Sequence, residues 1–282
     1  MRYRTYPPSH PLAQYVECFW TLESQEKAST GSPERILPDG CVELIFNLAD
    51  HFKRYHFDGA VEIQPRTIIA GQMRHYALIE PTGRVKLFGV RFHPGGAHRL
   101  LHFSLSELTN KIIGFDEVWS RLGKELTEKI ETADSVRERI NTIEKAFITR
   151  LDQRSEDNKL IDAVVKMIVA RDGLVSIDRL QNNLGISYRH LERKFKAVVG
   201  ISPKFFCRIS RFQKVFRAVE RHQNLGWSFI ASECGYYDQA HFIRDFKEFS
   251  GQNPSAFFND DHEMSQYFTR KNRLSDFYNT NE

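Results

Sequence analysis

Long apolar runs are missing from this 282-residue chain; no stretch approaches the ~18 apolar residues that a membrane-spanning helix requires. The opening residues, MRYRTYPPSHPL, lack a signal-peptide apolar core, which predicts a cytoplasmic protein. Cysteine is scarce: Cys18, Cys41, Cys207 and Cys234 lie far apart, with no CxxC and no metal-ligand spacing, so isolated thiols are expected. An excess of one charge is lacking too, because 40 Lys and Arg face 36 Asp and Glu, a net of +4. A uniformly basic protein is thereby excluded. With 27% charged and 41% hydrophobic residues, the composition suits a globular chain long enough for two domains.

Charge is present, but unevenly placed. Residues 158–260 hold 16 basic and 10 acidic residues, whereas the preceding 157 hold 21 and 22. The densest part is 187–217, with nine basic residues against the single acid Glu192. The same region repeats itself. Segment 191–206 aligns with 242–257 at an offset of 51, superimposing Arg193 on Arg244, Phe195 on Phe246, Lys196 on Lys247, Gly200 on Gly251, Pro203 on Pro254 and Phe206 on Phe257. Upstream the offset becomes 50, pairing Leu180 with Ile230 and Gly185 with Gly235. One supersecondary unit is used twice.

In the first copy, Ile177, Leu180 and Leu184 form an apolar stripe that stops at Gly185. Ser187 suits the N-cap of a helix with Leu191, Phe195 and Val198 inward, and Gly200 ends it. Ser202-Pro203 then opens a long helix with Phe205, Ile209, Phe212, Phe216 and Val219 on one side and Lys204, Arg208, Arg211, Lys214, Arg217 and Arg221 elsewhere. The second copy runs from Trp227, Ile230 and Cys234 through Gly235 to an Asp238-capped helix carrying Phe242, Phe246 and Phe249. Helix, glycine-containing turn, helix is the helix-turn-helix pattern. Charged faces of this kind are often merely solvated, and acids such as Asp245 or Glu248 could pair with Arg193 and Arg244; the repeat and its capping favour DNA.

The stretch from about Asn158 to Phe258 resembles the DNA-binding domain of the AraC/XylS transcriptional regulators. The likeness is carried by IASECGYYDQAHFIRDFKEFSGQNPSAF in the second copy, and by Leu184–Ser187, Leu191, Arg193, Phe195-Lys196, Gly200 and Ser202-Pro203 in the first. Gln181 departs from the pattern, standing where the family usually has Ala. The outward residues Tyr188, Arg189, Glu192, Arg193 and Lys196 of the first recognition helix, and Gln239, Ala240, Ile243, Arg244 and Lys247 of the second, are the expected base readers. Arg208, Arg211 and the rest of the linking helix's basic face, with the helix amides near Ser187 and Asp238, are expected to meet phosphates. The partners implied are double-stranded operator DNA, RNA polymerase and a small-molecule effector.

Between about Tyr15 and Phe92 the chain gives short alternating runs separated by turn signals such as Pro38-Asp39-Gly40, a β-barrel or sandwich pattern. Val90 and Phe92 fall out of phase with Val85 and Leu87, which predicts a bulge at Gly89. Stripes Val118-Leu122-Leu126-Ile130 and Val136-Ile140-Ile143-Phe147 predict an antiparallel helical pair. The resemblance implies a cupin-like sensor barrel whose helical pair, 116–150, supports a homodimer. The expected fold is therefore α+β multidomain: a sensor domain over 1–150, a linker at 151–157, the DNA-binding domain at 158–260 and a tail at 261–282.

Arg35, Glu43 and Arg91 lie on or beside predicted strands and are candidates to hold an anionic effector inside the barrel. Glu43, set between Val42 and Leu44, equally suits a structural ion pair, and Trp20 suits the core. His93, His98 and His102 lack the His-x-His plus Glu pattern of a metal-binding cupin, so no metal, cofactor or catalytic residue is expected. The alternative, a DNA-repair or cupin-type enzyme fused to a DNA-binding domain, would need a reactive Cys beside Pro and His, or that metal cluster. An architectural binder without sequence preference is the third class.

Overall fold

The structure is a computed structural model; it describes residues 1–24, 33–151, 158–222 and 225–259. The expected linker, save Leu151, and the tail lie outside these residues. The amino-terminal domain is β-rich and the carboxy-terminal domain helical. A six-stranded antiparallel sheet runs in the order β1 (Arg2–Tyr6), β2 (Val16–Glu23), β9 (Lys86–Phe92), β4 (Glu43–Asn47), β7 (Thr67–Ala70), β10 (Ile112–Gly114). A four-stranded one runs β3 (Glu34–Ile36), β8 (Ala77–Pro81), β5 (Phe52–Tyr55), β6 (Val61–Ile63). The strands thus make two sheets rather than one closed barrel.

The larger sheet is covered on both faces, which explains why β2 is buried nearly throughout. Trp20 and Leu22 of β2 and Leu87 of β9 pack with Ile36, Phe52 and Ile79 of the smaller sheet. Phe19, Phe88, Val90 and Phe92 point the opposite way, into a core shared with α1 (Gly96–Leu101), α2 (Phe115–Thr132) and α3 (Val136–Arg150).

The expected bulge at Gly89 is absent: Gly89 pairs with Trp20 in continuous register, and the irregularity of this ladder falls between Val16 and Cys18. Leu87, Gly89 and Arg91 share one face, and Phe88, Val90 and Phe92 the other. A Cβ on Gly89 would lie 2.1 Å from Cε2 of Trp20, so glycine is there to seat the indole. The apparent slip in phase is a glycine and an arginine occupying inward positions.

Both stripes of the helical pair bury against this sheet, through Trp119, Leu126, Ile130, Ile143 and Phe147. Leu122 is 37% exposed instead, because a break at Ser120 (φ 44°, ψ −122°) rotates the first turn of α2 relative to the rest. Arg139 of α3 is buried and donates to the carbonyls of Ile130 (3.0 Å) and Ala133 (2.7 Å), finishing the end of α2.

The carboxy-terminal domain comprises α4 (Lys159–Ala170), α5 (Ile177–Leu184), α6 (Tyr188–Val199), α7 (Pro203–Arg221), α8 (Trp227–Glu233), α9 (Gln239–Ser250) and α10 (Pro254–Asn259). Ser187, Ser202 and Asp238 cap α6, α7 and α9, accepting from the amides of His190, Phe205 and His241. Gly185, Gly200 and Gly251 close α5, α6 and α9 at φ 62°, 101° and 76°. The apolar stripes meet in one aromatic-rich core around Phe195, Phe206, Phe212, Phe242, Phe246 and Phe249. The sequence reading did not single out α4, which contributes Ile161, Val164, Val165 and Ile168.

Candidate nucleic-acid interface and sensor interior

On α6, capping by Ser187 and burial of Leu191, Phe195 and Val198 leave Tyr188, Arg189, Arg193 and Lys196 exposed. Glu192 is half-buried and ion-paired one turn on to Lys196 at 2.9 Å, so it sets the position of that ammonium. Nη2 of Arg193 lies 3.5 Å from Nδ1 of His190. On α9, Gln239, Ala240, Arg244 and Lys247 are exposed. Oε1 of Gln239 accepts from Ser228 of α8 at 2.5 Å, which turns the amide nitrogen outward. Among the described residues Arg189, Arg244 and Lys247 have no ion-pair partner.

One expectation for base readout needs correction, and one residue is to be added. Ile243 is half-buried and packed on the domain core, not free to reach a base. Tyr237, passed over in the sequence, is 93% exposed in the turn before the Asp238 cap. An aromatic left so bare at the entry of a recognition helix is the signal that was available.

The basic face of α7 is the larger correction. Arg208 donates to Asp245 (2.9 Å) and Glu248 on α9 and lies over the rings of Phe205 and Phe249, both at 5.1 Å. Arg211 lies over Tyr236 at 5.6 Å. Lys214 donates to the carbonyl of Glu233 at the end of α8 (2.6 Å), and Arg217 pairs with Asp172. These cations brace α7 against its neighbours; Lys204 and Arg221 are the exposed ones. Arg208 therefore takes the acids that might have paired with Arg193 and Arg244. The N-terminus of α9 is also a poorer phosphate site than that of α6, since the cap accepting the His241 amide is the negatively charged Asp238 carboxylate rather than a neutral serine.

In the amino-terminal domain, Arg35, Glu43 and Arg91 do not form one anion site. Arg91, with no exposed surface, is held by Glu17 (3.2 Å), Asp39 (2.5 Å) and Glu43 (2.8 Å). Three carboxylates around one guanidinium repel a further anion. Burial lifts the Glu43 carboxyl to about 7 despite the adjacent Arg91, and lifts that of Glu17 as well. Burial also pushes the Cys18 thiol to about 12 and Cys41 upward, keeping both protonated and unreactive. Arg35, on the other sheet, rests 5.7 Å over the ring of Tyr76. His93 is buried, His98 lies 3.2 Å from Nδ2 of Asn158, and Nε2 of His102 lies 2.8 Å from the carbonyl of Arg150. Among the described residues no three His, Cys, Asp or Glu side chains converge as metal ligands.

The two domains touch at the carboxy-terminal ends of both recognition helices. Thr109 donates to the carbonyl of Gly200 (2.5 Å) at the end of α6. A Cβ on Gly251, closing α9, would lie 2.4 Å from the ring of Tyr76, and Nδ1 of His75 lies 3.3 Å from the carbonyl of Glu248. Arg74 covers the ring of Phe205 at 4.7 Å.

Residues 180–260 match a family model described as a helix-turn-helix domain, and residues 4–114 one described as a domain of unknown function (DUF6597). No curated protein matches the chain in sequence. Among solved structures, ToxT from Vibrio cholerae is 12% identical, covering 86% of this chain and 98% of its own, with a TM-score of 0.46. ToxT bound to (E)-4-(8-methylnaphthalen-1-yl)but-3-enoic acid is 11% identical over the same shares, 86% and 98%, at 0.45. The xylose-binding transcription activator XylR is 22% identical over 40% of this chain and 29% of its own, at 0.30. With its paired motifs, glycine turns and exposed second helices, the carboxy-terminal domain contains a helix-turn-helix domain over residues 180–260.

Proposed function

We propose that the chain reads operator DNA with α6 and α9 in successive major grooves, roughly 34 Å apart along the duplex. Tyr188, Arg189, Arg193 and Lys196 on α6, and Gln239, Ala240, Arg244 and Lys247 on α9, carry the reading, with Tyr237 beside them. The observation that carries it is the double exposure of Arg193 and Arg244, repeat-equivalent and not drawn into the acids that Arg208 holds. Residues 1–150 serve as sensor, 151–157 as linker, 158–260 as reader and 261–282 as tail. A small molecule bound by the amino-terminal domain tunes the reader. In this reading the protein acts in the cytoplasm, contacts RNA polymerase at its promoters, and binds without catalysing a reaction.

A homodimer through 116–150 is the lesser part of the proposal. The apolar stripes of α2 and α3 are already taken by the sheet, and Leu122 and Ile148 are the large apolar side chains of this pair left exposed. Sedimentation of the full chain decides it. The DNA reading is tested on an operator selected from random duplexes. Arg193→Ala and Arg244→Ala should each lose about 1–3 kcal/mol, roughly 5- to 150-fold in affinity, with relaxed preference at the contacted base. Unchanged affinity in both variants contradicts it.

A further inference from the structure

Five consecutive residues join the Arg91 cluster to the carboxy-terminal domain: the first two bind that domain and the last three bind back into their own. Leu37 is 4% exposed and belongs to the core of the carboxy-terminal domain rather than to its own. The Pro38 carbonyl accepts from Nε2 of Gln213 on α7 at 2.7 Å. Asp39 turns back: its Oδ2 meets Nη2 of Arg91 at 2.5 Å while its Oδ1 accepts the amide of Cys41 at 2.9 Å. The Gly40 carbonyl accepts from Nε2 of Gln72 at 2.6 Å, and the stem of that glutamine lies 2.9 Å from where a Cβ on Gly200 would stand. Sγ of Cys41 lies 3.8 Å from Oε2 of Glu17.

Arg91 is the pivot, and it is contested. Fully ionised, its three carboxylates set three negative charges against one positive inside the fold. Glu17 and Glu43 then compete with Asp39 for the guanidinium and repel it. A proton on Glu43 removes one competitor and strengthens the Asp39–Arg91 pair. The charged and titratable groups facing the cluster are Glu17 and Cys18 of β2, Asp39 and Cys41 of the loop, Glu43 of β4 and Arg91 of β9, with His93 next along β9.

We propose that Leu37–Cys41 is a proton-operated relay: uptake of a proton by Glu43 or Glu17 beside Arg91 tightens Asp39 on the guanidinium and, through Leu37 and the Pro38–Gln213 bond, clamps the carboxy-terminal domain. Release of the proton loosens the segment and frees both recognition helices from the amino-terminal domain. The position of the Glu43 carboxyl, about 7, puts the change at neutral pH. The effect on operator affinity rests on the DNA-binding reading above; the loosening of the segment does not.

The test uses the full chain in two measurements. Hydrogen exchange of a peptide spanning 37–42, corrected for the intrinsic pH dependence, should show at least threefold less protection at pH 8 than at pH 6. Glu43→Gln, checked for folding by its melting curve, should keep the high protection at both pH values, and Asp39→Asn should show low protection at both. Operator affinity should change at least threefold over the same range, in either direction, in the parent protein. It should be flat in Gln213→Ala, which still shows the pH-dependent exchange. Exchange that is flat in the parent, or equally pH-dependent in Glu43→Gln, overturns the relay whatever the DNA does. Failure to select any operator overturns the DNA reading and leaves the exchange result to decide the relay.

Discussion

Arg208 and Arg193 are both arginines on helices of one basic region, yet their surroundings give them different work. The Arg208 guanidinium sits between two acids and two rings, and losing it strands Asp245, 7% exposed at its side chain, without its main counterion. Arg208→Ala should therefore destabilise the domain by about 1–3 kcal/mol. Arg193→Ala, at an exposed position, should cost less than about 0.5 kcal/mol of stability while weakening DNA binding. Chemical denaturation of each variant beside a DNA titration checks this; equal effects on both readouts in the two variants contradict it. The sequence shows nine cations on one stretch but not which are taken, because the acids that take Arg208, for one, lie 37 and 40 residues away on α9. Charge counts are local; ion pairs are made by the fold.

Among elements, the carboxy-terminal helices were the most legible. α5, α6 and α9 are each bounded by a residue whose local chemistry fixes a start or stop, Ser or Asp before and Gly after, and each carries a stripe with one period. The strands were legible in existence but not in phase. Residues 85–92 read as slipped because the inward position 89 lacks a side chain, and only the opposite strand reveals what fills the space. Gly89→Ala should drive a methyl into the indole of Trp20 and destabilise the amino-terminal domain by about 1–3 kcal/mol or more. A second substitution, Trp20→Phe, which relieves that overlap, should return part of the loss. Thermal melts of the single and double variants measure it, and strictly additive losses contradict it. Position 122 followed the same logic: a regular period predicted burial, and the break at Ser120 moved it to the surface.

At the scale of the whole molecule, the buried carboxylates and the buried histidine give stability opposite pH slopes. Burial raises Glu43 from 4.5 to about 7, so the folded state holds that proton more tightly than the unfolded chain. This contribution is full below about 4.5 and is lost as pH climbs to about 7. Burial lowers His93 from 6.5 to about 4, so its contribution is full above 6.5 and is lost as pH falls to about 4. Between about 4.5 and 6.5 the two trends oppose; from 6.5 to 7 the Glu43 slope is no longer opposed by His93. The melting temperature of the parent should fall from pH 6.5 to 7.5, and that of Glu43→Gln should not. The sequence offered Glu43 and Arg91, and Glu43 as an ion-pair member, but not Glu17 or Asp39, since the four come together only through the pairing of β9 with β2 and β4 and through a loop.

The net charge of +4 hides this division between a domain proposed to read a polyanion and one that buries its own acids. The most direct measurement is selection of bound duplexes from a random-sequence pool, with the parent protein and with Arg193→Ala and Arg244→Ala. Two blocks of enriched sequence about 10–10.5 base pairs apart are predicted, one weakened by each variant. Recovery of duplexes with no enriched sequence, or the same two blocks undiminished in both variants, would contradict the account.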